Sequence, residues 1–243
     1  MKPATKDPDQ GSARPALIPP ANADDLSGNG HRQLLGWLGI LLPLMVCLGA
    51  GLRPAAHVDP WKMLPSISGY YHTGAVVFFI GIVVALGLFL ITYHGYDNAD
   101  GWKDRLASNI AGYAALLLAA FPTKVEGGYP APDWWTPLMG KLHLAGASTL
   151  FIAFAYMSFF LFPSGTDHLT KEKKRRNLVH QSSGIIIAAC LIWALVAGFI
   201  LEGPIFWPET IMLLAFGVSW LTKGKVDKTA KAIVQRISGD PAE

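Results

Sequence analysis

The chain has 243 residues, enough for one ordinary domain, with 51% hydrophobic and only 15% charged residues, eight Trp and twelve Phe. Soluble domains usually carry about 25% charged residues, so the deficit favours lipid over water as the solvent. The formal net charge of +3 is too small to imply a nucleic-acid partner.

Residues 1–33 are rich in Pro, Ala, Asp and Gly and read as a disordered cytoplasmic tail. They do not read as a secretory signal, because the first strong apolar run begins only at Leu34. Six apolar stretches follow, at 34–52, 74–93, 106–121, 144–162, 178–201 and 205–221. A bilayer core needs about 20 apolar residues as helix. The third and sixth stretches are the shortest. None alternates apolar and polar residues in the manner of a membrane β-strand. The expected fold is therefore all-α, a polytopic bundle of about six transmembrane helices over residues 34–222. A basic cytoplasmic tail is expected at 223–243.

Lys and Arg set the orientation. With the N-terminus inside, sixteen of them fall in inner segments and four in outer ones. That asymmetry predicts N-in, C-in topology in a cell inner membrane. Its densest element is Lys171, Lys173, Lys174, Arg175 and Arg176, directly before the fifth stretch; this run also suits anionic headgroups. Trp61, Tyr70, Tyr71, Trp134, Trp135 and Trp207 fall near the expected outer interface, and Tyr93, Trp102 and Trp220 near the inner one.

Ionisable residues near a membrane are the first place to seek function. The outer side gathers Asp59, Ser68, His72, Asp133, His143 and Glu209. His72 and His143 each open a span and so share a depth. With a carboxylate they are the candidate metal ligands, although no HxxxH or HExxH spacing supports them. Ser68 and His72 are four apart, a spacing that permits a nucleophile and base; equally, Ser68 is a helix cap. The inner side gathers His94, Asp97, Asn109 and His180 as a candidate polar network, with Asn109 and His180 expected to face the bundle interior. Gly81 with Ala85, and Gly146 with Ser148, read as close-packing positions. Pro43 is a candidate kink. Cys47 and Cys190 read as small buried hydrophobes. No cofactor is expected.

Three segments carry a resemblance: Leu64-Pro65-Ser66-Ile67-Ser68-Gly69-Tyr70-Tyr71; Asn109-Ile110-Ala111-Gly112 with Phe121-Pro122-Thr123; and Glu209 with Phe216-Gly217-Val218-Ser219-Trp220-Leu221. Their order and the six-helix layout resemble uncharacterised bacterial membrane proteins of the DUF998 and Frag1/DRAM type. Those groups have no established common enzyme activity, and the resemblance implies a membrane-resident role, in lipid handling or as a partner of other membrane proteins. Ser68-x-x-x-His72 is also similar to one element of the membrane hydrolases that include alkaline ceramidases. The later His-x-x-x-His of that group is missing. The leading expectation is a non-enzymatic protein binding a lipid or a membrane partner, with Asp59, Asp133, Glu209, Asn109 and His180 as binding candidates. The alternative is a metal-dependent lipid hydrolase built on Ser68, His72 and His143. A transporter ranks below both, because the spans hold no mid-membrane charge.

Overall fold

The computed structural model describes residues 23–53, 61–95, 101–125, 131–164 and 170–226. Every long element among them is an α-helix: α1 (Ala23–Leu52), α2 (Val76–Ile91), α3 (Gly101–Ala120), α4 (Pro137–Tyr156), α5 (Lys171–Phe199) and α6 (Phe206–Lys223). A short 3-10 helix, Ser68–His72, precedes α2, and a π turn, Met157–Leu161, extends α4. Three helical stretches are long and apolar enough to cross a membrane: Gly28–Leu52, Pro137–Leu161 and Lys171–Phe199.

All six expected apolar stretches are helical. The helices differ from them where the terminal turns are polar. α1 begins at Ala23, inside the segment expected to be a tail, and runs unbroken through Pro43. α3 begins at Gly101 rather than near 106 because its Trp-Lys-Asp-Arg turn carries no apolar signal. α5 begins at Lys171, where Thr170 caps the helix by accepting from the Lys173 amide at 3.2 Å. The basic run expected as a loop is therefore the first turn and a half of α5.

Each helix packs on its sequence neighbours, and α1 also packs on α6, so the six close into a ring. Small residues set the crossings. A Cβ on Gly217 would stand 2.7 Å from the Gly36 carbonyl oxygen, and one on Gly36 would stand 2.8 Å from that of Gly217. A Cβ on Gly112 would stand 2.7 Å from the Gly87 carbonyl oxygen, fixing α2 against α3. Gly146 does the same for α4 against Ala114 of α3, at 2.9 Å. Such approaches let dispersion act between backbones, which matters where lipid supplies no hydrophobic drive. Gly81 differs from expectation: it is exposed, with nothing within 4 Å of a Cβ placed there. The centre of the ring is closed by the Phe154 and Phe216 rings, stacked at 3.7 Å between centroids, and Phe154, Phe216, Trp220 and Met157 are all fully buried.

Candidate functional site

Polar side chains collect at both ends of the bundle. At the end where α3 terminates, the helix leaves carbonyls without intrahelical partners, and Pro122 prevents its continuation. Two histidines and a tryptophan satisfy them. His143 Nδ1 donates to the Leu118 and Phe121 carbonyls, at 2.9 and 2.7 Å. His72 Nε2 and Trp135 Nε1 both donate to the Thr123 carbonyl, each at 3.0 Å. Carbonyl oxygens only accept, so these bonds assign the ring protons to His143 Nδ1 and His72 Nε2. His143 is buried and lies against the Phe79 ring of α2, at 6.4 Å and 24°. Tyr71 packs between His72 and Phe79: its ring is 5.6 Å from that of His72 and 5.9 Å from that of Phe79. Partial burial raises the Tyr71 phenol above its ordinary pKa, so it stays neutral.

The structure thus brings His72 and His143 to one helix end, as expected from their shared depth, and employs both as caps. Among the described residues no three His, Cys, Asp or Glu side chains converge as a metal site. Ser68 donates to Ser66 Oγ at 3.4 Å, and no hydrogen bond joins it to His72. Asp133 is exposed, and Asp59 lies outside the described residues.

Glu209 stands at the start of α6 and meets the segment before the 3-10 helix. Its Oε2 accepts the Ile67 amide at 2.6 Å. The Pro65 carbonyl accepts the Ile205 and Phe206 amides, at 2.7 and 2.8 Å, at the start of α6. Ser66 Oγ takes the Gly69 amide at 2.9 Å, and the Tyr70 hydroxyl takes that of Leu64 at 3.3 Å. Leu64, Ser66, Ile67 and Tyr70 are buried in consequence. The Leu-Pro-Ser-Ile-Ser-Gly-Tyr-Tyr segment is a plug docked on α6, and Glu209 holds it there.

At the opposite end, His180 is buried as expected, and its Nδ1 meets Ser219 Oγ of α6 at 2.9 Å. The Phe162 ring covers it edge-on at 5.3 Å. Of the candidate network, His94 Nδ1 donates instead to its own Thr92 carbonyl at 2.9 Å, and Asp97 lies outside the described residues. Asn109 is half-buried, its Oδ1 enclosed without a hydrogen-bond donor.

The sequence reading missed the most buried charges here. Lys223 ends α6 with 4% of its surface exposed, and Asp104 of α3 has 5%. Lys223 Nζ stands 4.4 Å over the Phe162 ring, within electrostatic reach of Asp104 and Arg32. Arg32 in turn lies 5.8 Å over the Tyr93 ring. Gln33 donates to the Gly224 carbonyl at 2.8 Å, and His31 to that of Phe89, also at 2.8 Å. Gly95, at φ +72°, brings the chain against Asp104. Helical spacing was the available signal: Asp104, Ser108 and Ala111 share one buried face of α3, as Phe216, Ser219, Trp220 and Lys223 share one of α6.

A third feature lies between these ends on the outside of the ring. α3 and α4 enclose a groove of about 310 Å³ lined by Trp102, Lys103, Leu106, Ile110, Thr149, Ile152 and Tyr156, together with Ala107 and Ala153 at its floor. Its walls are open outward: Leu106 is 51% exposed and Ile152 is 57% exposed. The chain matches no family model, and comparison with characterised proteins and with solved structures also gives no match.

Proposed function

We propose that this is a six-span protein of the cell inner membrane, with cytoplasmic termini, that binds a membrane lipid non-enzymatically in the groove between α3 and α4. Three helices already have the length and composition of spans. The others pack beside them in one ring; Val76–Ile91 of α2, residues 106–120 of α3 and residues 210–222 of α6 hold no charge. The sixteen-to-four distribution of Lys and Arg supports the orientation. It puts the Lys223–Asp104–Arg32 cluster on the cytoplasmic side and the histidine caps on the outer side.

The observation that carries the lipid reading is the groove itself. It is apolar, opens away from the bundle axis, and is flanked by Trp102, Tyr156 and Lys103 at the end where α3 begins. The hydrolase alternative would rest on Ser68, His72 and His143. Their hydrogen bonds serve the ends of helices and the plug instead, and we assign them that structural role.

Native mass spectrometry of the detergent-purified protein tests the lipid reading. Retention of one phospholipid is expected for the wild type. Retention is expected to be lost in Thr149→Trp, a substitution at an exposed groove position that fills the space without disturbing the floor. Equal retention by both proteins would overturn the reading.

A further inference from the structure

We infer that the chain pairs with a second copy of itself through the outward face of α5, with Gln181 of each copy bonded to Gln181 of the other. This rests on the membrane reading alone and is independent of the groove, none of whose lining residues belongs to α5.

Spacing is the first argument. Leu178, Gln181, Ile185, Ala188, Ile192 and Leu195 follow one another at alternating steps of three and four residues, and a further step of four reaches Phe199. All of these positions are exposed. Alternating steps of three and four give the 3.5-residue repeat of a left-handed helix pair, whose seam lies along such positions. From Leu178 to Phe199 the face rises roughly 32 Å at 1.5 Å per residue, close to the hydrocarbon core of about 30 Å. The ring also covers α5 least among its span-length helices. In the apolar stretch of α5 33% of residues are buried, against 44% in each of Gly28–Leu52 and Pro137–Leu161.

Gln181 is the second argument, and it decides what covers the face. It lies five residues past Arg176, roughly 7.5 Å further along the helix. Among the described residues no hydrogen bond reaches its side chain or that of Ser182 beside it. An amide turned toward hydrocarbon without a partner is costly. A lipid tail offers it neither donor nor acceptor. A second Gln181 offers both, because a glutamine amide carries a carbonyl oxygen and an NH2 group. Two copies inserted with the same topology are related by a two-fold axis along the membrane normal. That axis sets α5 parallel to α5 and brings each seam residue against its own counterpart. Each Gln181 NH2 then donates to the carbonyl oxygen of the other. One polar residue at a seam position also fixes the register, and Ala188 lets the two backbones approach. Lys174 repeats the spacing one turn before Leu178. Like charges meet there, so the pairing ends at Leu178, and anionic headgroups screen the lysines.

The test uses the full chain, labelled with donor or acceptor fluorophores at its C-terminus, in vesicles of phosphatidylethanolamine and phosphatidylglycerol. Energy transfer in the wild type is expected to exceed the random level and to fall on dilution with lipid as a monomer–dimer equilibrium. Gln181→Leu is expected to weaken the dimer about three- to tenfold, the range of hydrogen bonds between helices in membranes. Gln181→Asn keeps the amide and is expected to weaken it less. Ala188→Trp, at an exposed position, is expected to abolish transfer. In a chain with Cys47 and Cys190 replaced by Ala, Ile192→Cys is expected to form linked dimers on mild oxidation. Leu88→Cys of α2, where Leu88 is 53% exposed, is expected to form none. Transfer at the random level in the wild type overturns the inference, whether lipid or another protein covers α5. So does equal linking at 88 and 192, or an unchanged affinity in Gln181→Leu. A chain that does not enter vesicles overturns the membrane reading instead.

Discussion

Replacing Glu209 by Ala should release the plug from α6. The carboxylate accepts the Ile67 amide at 2.6 Å, a short charge-assisted bond to a residue that is 3% exposed. Hydrogen bonds to charged groups contribute about 1.5–3 kcal/mol, and a buried amide left without an acceptor costs about 1–3 kcal/mol. These overlap, being two views of one bond, so the expected loss is about 2 kcal/mol. Glu209 also lies in the first turn of α6, where a negative charge gains up to about 1 kcal/mol from the helix dipole. For a chain of this size 1 kcal/mol corresponds to about 2–4 °C in melting temperature. Glu209→Ala should therefore melt about 4–10 °C lower in detergent. Glu209→Gln keeps an acceptor without the charge and should lose about half as much. The loss should be local as well: hydrogen exchange should accelerate at the Ile67, Ile205 and Phe206 amides, which all depend on the docked loop. A Glu209→Ala protein melting within 1 °C of wild type with unchanged exchange at Ile67 would refute this reasoning.

Three further perturbations follow from the packing and the caps. His143→Leu removes the donor shared by the Leu118 and Phe121 carbonyls. It should cost about 1–3 kcal/mol by chemical unfolding in micelles, while treatment with a chelator leaves wild-type stability unchanged; a chelator-induced drop would restore the metal reading. Gly112→Ala places a Cβ 2.7 Å from the Gly87 carbonyl and should destabilise by more than about 1 kcal/mol, whereas Gly81→Ala meets open space and should be neutral or gain up to about 1 kcal/mol of helix propensity. Equal effects of the two in the same unfolding assay would contradict the assigned crossing. Asp104→Asn and Lys223→Met should each destabilise, and the double variant should recover more than about 1 kcal/mol relative to the sum. Additive losses would mean that the two charges do not interact.

Much of this architecture is written in hydropathy. Each apolar stretch became a helix because a run such as Val76–Ile91 carries no polar group to satisfy elsewhere. Element ends were less legible, because amphipathic turns such as Trp102–Arg105 and Lys171–Arg176 are helical without being apolar. The shared depth of His72 and His143 was readable from their positions just before apolar stretches, although α4 itself begins earlier, at Pro137, and His72 closes the 3-10 helix. Their partners were not, since backbone carbonyls at Leu118, Phe121 and Thr123 leave no trace in residue type. Lys223 and Asp104 were misleading in a related way. Each sits one turn or less from a helix end, where a charge ordinarily marks the membrane boundary. Only tertiary packing against Phe162, Arg32 and Gly95 takes them inside. The groove escaped the sequence reading for the same reason, being a property of two helices together.

A photo-crosslinking residue placed at Ile152 tests the lipid-binding groove most directly. Ile152 lines it at 57% exposure, and Ile192 on α5, at 64%, is an equally exposed apolar position that does not line it. After extraction into detergent and extensive washing, irradiation should give a phospholipid adduct at position 152 and none at 192. Adducts of equal yield at both positions, or at neither, would contradict a retained lipid between α3 and α4.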